Sequence, residues 1–154
     1  MPQYGTVALG GTFDIIHKGH IALLTKAFSI SSHAIIGLTG DDLALKKNKN
    51  TLNDYFKRFE SLTILIEKKF PNSSYAISEL ENDFGPAAIE GKVDALIVSE
   101  ETSNKGEILN ALRKNKNLPS VEVVIVPMIL AEDGSRISST RIRNSEIDAE
   151  GNLS

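Results

Sequence analysis

The sequence predicts an α/β protein: a single doubly wound, Rossmann-like domain with a five-stranded parallel sheet, spanning residues 1–154. Three observations lead there. Short apolar runs rich in β-branched residues recur at 6–9, 34–39, 75–80, 95–99 and 121–127. Longer segments with helical spacing lie between several of them. The 154 residues and 41% hydrophobic content fit one domain with a sizeable core and leave little room for a second.

The elements follow in order. After the first run, Ile21, Leu24, Ala27 and Phe28 share one face of a helix that opens at Gly19-His20. The second run leads into Lys46-Lys47-Asn48-Lys49-Asn50, a polar loop. Phe56, Phe59, Leu62, Leu65 and Ile66 mark the next helix, with Asn53 or Asp54 available as its cap and Pro71 just beyond its end. The segment 105–115 reads as a third helix, with Ile108, Leu109 and Leu112 apolar. Residues 121–127 carry one charge, Glu122, in a nearly continuous apolar run, as expected of a strand buried on both faces. Asp133-Gly134 marks a later turn.

Composition narrows the function. A net charge of −3 gives no general attraction to polyanions, so no nucleic-acid partner is expected. With no cysteine there are no disulfides, thiolate nucleophiles or cysteine metal sites. Met1-Pro2-Gln3-Tyr4-Gly5 lacks a basic stretch followed by an apolar run, and no apolar run approaches membrane-spanning length. A soluble, cytoplasmic protein without a membrane partner is the expectation.

In a doubly wound sheet, ligands bind beyond the carboxyl ends of the strands. After the first strand comes Gly10-Gly11-Thr12-Phe13-Asp14-Ile15-Ile16-His17-Lys18-Gly19-His20. Two glycines let a phosphate approach the backbone, and the free amides of the following helix start favour an anion. A lone histidine there would be an ordinary surface residue. Two histidines three apart, with glycine between them, favour phosphate binding over a mere turn. Neither a Walker sequence nor Gly-x-Gly-x-x-Gly is present, and no cluster completes a zinc shell around the histidines. A second constellation, Ile137-Ser138-Ser139-Thr140-Arg141-Ile142-Arg143, combines helix-capping hydroxyls with two arginines. By itself it is equally an ordinary capped helix; beside the histidine loop it becomes a second phosphate-binding candidate.

Together the two motifs resemble the nucleotidyltransferase superfamily marked by His-x-Gly-His and Ile-Ser-Ser-Thr. Within it the chain is similar to the archaeal-type phosphopantetheine adenylyltransferases and to the corresponding domain of eukaryotic coenzyme A synthase. The narrower match also runs through Gly37-Leu38-Thr39 to Asp42-Leu43, Phe84-Gly85-Pro86-Ala87, Val98-Ser99-Glu100-Glu101-Thr102, Asn110 with Arg113, and Val126-Pro127. The bacterial enzymes with this activity typically have threonine where His17 stands, and arginines after the fourth strand where this chain reads Ser99-Glu100-Glu101.

The resemblance implies transfer of the adenylyl group of ATP to 4′-phosphopantetheine, giving dephospho-coenzyme A and pyrophosphate, with magnesium on the triphosphate. It implies catalytic roles for His17, His20 and Lys47. It places ATP against Gly10, Gly11, Thr12, Phe13, His17, His20, Ile137, Ser138, Ser139, Thr140, Arg141 and Arg143. The acceptor falls to Thr12, Thr39, Lys46 and Lys47, with Arg58, Lys105, Asn110 and Arg113 as weaker candidates. A solvated loop is an even alternative for the lysines. The rivals are sibling cytidylyl-, flavin or nicotinamide mononucleotide transferases, and a nucleotide-sensing module without turnover. His20, at a helix start facing a cleft, is expected to contribute little to stability.

Overall fold

A computed structural model describes residues 3–47, 51–82, 84–85 and 91–127. The strands are β1 (Tyr4–Gly11), β2 (Ser31–Thr39), β3 (Tyr75–Leu80), β4 (Ala95–Ser99) and β5 (Glu122–Val126). The helices are α1 (Lys18–Ile30), α2 (Asp41–Lys46), α3 (Tyr55–Lys69) and α4 (Lys105–Asn115), with a 3-10 turn at Glu100–Thr102. All five strands pair in parallel in the order β3-β2-β1-β4-β5. The predicted fold class stands: one five-stranded, parallel, Rossmann-like sheet. Because the order reverses between β1 and β4, the crevice that such sheets use for ligands lies beyond the carboxyl ends of those two strands.

Alternation along each strand sends side chains to the two faces. Val7 and Leu9 join Leu24 and Ala27 of α1 and Leu62 and Ile66 of α3 in one core, whereas Ala8, Leu96 and Val98 join Leu109 of α4 in the other. Gly106 is where α4 comes down on β5: a Cβ there would run into the Val123 side chain. Asn110 fastens the same contact, donating to the Val121 carbonyl at 3.1 Å and accepting the Val121 N–H at 2.7 Å.

Three expectations change. β5 is an edge strand of the sheet among the described residues, with Val123 36% and Ile125 50% exposed, so its apolar run is not buried on both faces. On α3 the inward stripe is Arg58, Leu62 and Ile66, one every fourth residue, while Phe56 is 78% and Phe59 38% exposed. An arginine lies inward because backbone carbonyls await it there. Finally, α2 occupies the stretch before the lysine loop; it is too short for periodicity to reveal. Asp54, not Asn53, caps α3, accepting the Lys57 N–H at 2.9 Å.

Candidate nucleotide site

The loop that leaves β1 turns into α1 at the switch point. Gly10 is exposed and Gly11 and Thr12 are partly so. Phe13 is fully buried with φ 51, a left-handed conformation that a bulky residue holds only when its surroundings fix it. Its side chain is part of the core.

His17 is the N-cap of α1, and its Nδ1 accepts the Gly19 N–H at 3.0 Å. In return the Nδ1 of His20 accepts the His17 N–H at 3.3 Å, closing a capping box made of two imidazoles. The rings stack with centroids 3.9 Å apart, and His20 lies 4.7 Å from the Phe13 ring. Gly19 is required between them, since a Cβ there would sit 2.8 Å from Cε1 of His17. The heavy-atom geometry assigns the tautomer. Each Nδ1 receives a backbone hydrogen, so each neutral ring carries its own proton on Nε2 and is an Nε2–H donor. At a helix start these donors add to the dipole that attracts phosphate. The cap and stack also give His20 a share in stability that the sequence reading did not assign.

Beneath the loop lies a polar lattice. Asp14, 4% exposed, accepts the Leu52 N–H at 2.9 Å and the Asn53 N–H at 3.0 Å, while Nδ2 of Asn53 donates to the Asp14 carbonyl at 3.1 Å. Arg58, fully buried, donates to the carbonyls of Asn53 at 3.1 Å, Thr12 at 2.9 Å and Thr39 at 2.7 Å, and to the Asp41 carboxylate at 2.8 Å. Its Cζ lies 6.0 Å from the Tyr55 ring centroid. Burial, and then Glu79, push the Tyr55 hydroxyl above its ordinary pKa, with Arg58 working against them.

Other predicted residues separate into two groups. Lys46 ends α2 and Lys47 caps it, both exposed, near the carboxyl end of β2. Lys46 lines a cleft of about 280 Å³ together with Gly40, Asp42, Leu43, Glu79, Leu80 and Glu81. Thr39 is buried at the end of β2, its carbonyl bonded to Arg58. Lys105 begins α4. Beyond β4, in the turn next to the β1 loop, the Ser99 and Thr102 hydroxyls bond at 3.1 Å.

The hydrogen bonds that Arg58, Asn110 and Arg113 make in the structure hold the chain itself together. Arg113 is 3% exposed and donates to the carbonyls of Pro119 at 2.8 Å and Gly91 at 3.1 Å, pinning α4 to the segments before β5 and β4. The sequence reading missed Asp14, Asn53 and Asp41 as parts of the site's support. Short polar residues flanking an apolar run were the one signal, and only the folded chain shows whom they bond. Ile137, Ser138, Ser139, Thr140, Arg141 and Arg143 lie outside the described residues, as do Pro86 and Ala87. Among the described residues no group of three or more His, Cys, Asp or Glu side chains converges to hold a metal.

Known proteins resemble this chain in sequence and in fold. The cytidylyltransferase-like family model matches residues 8–145. A phosphopantetheine adenylyltransferase of Methanosarcina barkeri is 41% identical over 150 residues, covering 96% of this chain and 91% of that protein. One from Methanothermobacter thermautotrophicus is 34% identical over 151 residues, 98% of this chain and 90% of that protein. A solved structure of a protein of unknown function from Archaeoglobus fulgidus superposes with a TM-score of 0.72 at 26% identity, covering 79% of this chain and 88% of that one. Fold, histidine loop and near-full-length relatives coincide, and the chain belongs to the cytidylyltransferase-like nucleotidyltransferases, among the archaeal phosphopantetheine adenylyltransferases.

Proposed function

We propose that this protein transfers the adenylyl group of ATP to 4′-phosphopantetheine, forming dephospho-coenzyme A and releasing pyrophosphate. The observation that carries the reading is the imidazole pair at the head of α1, with Nδ1 of each ring engaged by the backbone, an arrangement that suits a neutral ring with its proton on Nε2. Such donors are oriented before substrate arrives, which suits stabilisation of charge on a reacting phosphate.

The acceptor's phosphate ester is largely dianionic near neutrality, its second pKa being about 6, and is itself the nucleophile. One of its oxygens attacks the α-phosphorus of ATP, the bond to the β,γ-pyrophosphate breaks, and pyrophosphate departs with the electron pair. No protein base or covalent intermediate is needed. Catalysis then rests on in-line placement and on neutralising charge. His20, with His17, donates to the phosphates, and ATP lies along Gly10, Gly11, Thr12 and Phe13. Ser138, Ser139, Thr140, Arg141 and Arg143 are proposed to hold the departing phosphates.

Lys47 is proposed for the acceptor phosphate in preference to Lys46. The cleft that Lys46 lines also carries Asp42, Glu79 and Glu81, whose carboxylates oppose an anion. Magnesium would reach the site on the triphosphate, with ATP oxygens and water as most of its ligands, and would neutralise the leaving group. The cytoplasm, where ATP is abundant, suits this reaction.

The test is a screen of phosphorylated acceptors with ATP or CTP, scored by pyrophosphate release. ATP with 4′-phosphopantetheine is expected to lead. Another acceptor, or CTP, ahead by a hundredfold in kcat/KM would move the assignment to a sibling transferase; ATP binding without turnover on any acceptor would make the protein a sensor.

A further inference from the structure

We propose that Arg58 is a positioning residue that fixes the distance between the two substrate-holding segments, the loop after β1 and the turn after β2. The proposal rests on the adenylyl-transfer reading above and concerns how that site is kept in register.

Arg58 stands on the inward stripe of α3, where Leu62 and Ile66 are its neighbours one and two turns on. An apolar side chain would fill that position well, and a fully buried guanidinium carries a desolvation penalty that only good partners offset. Four of its five N–H donors are accounted for, and their acceptors share one feature. The carbonyl of Thr12 belongs to the ATP loop, that of Thr39 ends β2, the Asp41 carboxylate heads α2, which leads to Lys46 and Lys47, and the Asn53 carbonyl precedes α3. One rigid planar group therefore bridges the nucleotide side and the acceptor side of the crevice. A single nitrogen, Nη1, holds both the Thr12 and the Thr39 carbonyl.

The Asp14–Asn53 bonds secure the same loop from its other end, so the left-handed backbone of Phe13 is held on both flanks. In-line transfer is sensitive to this separation, because misplacing the reacting groups by about 1 Å can lower the rate by around a hundredfold. Lysine keeps the charge but not the planar fork, so it cannot reproduce four bonds in fixed directions.

The experiment compares Arg58→Lys and Asp41→Asn with the wild-type protein. It measures kcat with both substrates saturating, the Kd of each substrate alone, melting temperature, and amide hydrogen exchange. Arg58→Lys is expected to lower kcat by about tenfold or more, while each separate Kd shifts by less than about threefold. Asp41→Asn, whose side chain is half exposed and keeps an oxygen acceptor, should give a smaller kcat loss in the same direction. It carries the same test should Arg58→Lys fail to fold.

Unchanged turnover per folded molecule with a lower melting temperature would make Arg58 purely structural and overturn the proposal. So would an ATP Kd weakened by the same factor as kcat/KM. If the wild-type protein releases no pyrophosphate with this acceptor, the functional reading fails by itself. The positioning role is then read from exchange alone. Faster exchange in 12–14 and 39–47 together supports it, and loss of protection in only one of these segments overturns it.

Discussion

Replacing His20 separates the chemistry of the site from its architecture. Its imidazole does two things at once: Nδ1 accepts the His17 N–H at 3.3 Å, and the ring stacks 3.9 Å from His17 and lies tilted 4.7 Å from Phe13. The hydrogen bond is long, so it sits at the low end of about 0.5–1.5 kcal/mol. The ring contacts add about 0.5–1.5 kcal/mol. His20→Ala should therefore lower stability by about 1–2 kcal/mol, or roughly 2–8 °C in Tm for a chain of this size. Loss of a donor aimed at developing charge should lower kcat by about two to three orders of magnitude, a far larger effect. His20→Gln isolates the second effect. Glutamine at the third helical position can reach back to the N-cap amide, restoring part of the cap without restoring the imidazole Nε2–H. The assay is pyrophosphate release, with ATP Kd and Tm measured on the same preparations. Both variants should bind ATP nearly as the wild type does and turn over slowly, with His20→Gln the more stable. A His20→Ala protein with normal turnover per folded molecule would refute the role.

Gly19→Ala would place a methyl 2.8 Å from Cε1 of His17 and force that ring off its cap. Calorimetry should show a loss near that of an N-cap, about 1 kcal/mol, and pyrophosphate release should fall with it; an unaltered kcat would disconnect the cap from catalysis. Lys47→Ala should raise the KM for 4′-phosphopantetheine by about tenfold or more, the worth of a charge-assisted bond, and leave ATP binding nearly intact. If Lys46→Ala does this instead, the choice of lysine is off by one residue. Burial, and then the 2.8 Å bond to Glu67, raise the Tyr75 hydroxyl above 10.0. A proton held more tightly in the folded state stabilises below the unfolded pKa and is lost as pH rises through the folded one. Thermal melts across that alkaline window should decline less steeply for Tyr75→Phe than for wild type, and parallel curves would exclude the linkage.

The alternation of β-branched runs with helical spacing determined the fold class, because strand and helix periods are local properties of the chain. β3 and β4 were legible to the residue at Tyr75–Leu80 and Ala95–Ser99. The histidine loop was legible too, since glycines and imidazoles at a strand–helix junction are adjacent in sequence. Tertiary structure decided what depends on partners far along the chain. Phe56 reads as core and faces outward, whereas Arg58, outside the apolar stripe read from the sequence, is fully buried. Arg58 meets Thr12, 46 residues away, and Thr39, 19 away, and no periodicity encodes such acceptors. β5 read as a strand buried on both faces until its place at the sheet edge left Ile125 half exposed. Hydrophobic patterning records how strongly a residue avoids water. Which carbonyl it will meet, and which strand will lie beside it, is settled only when distant segments close on one another.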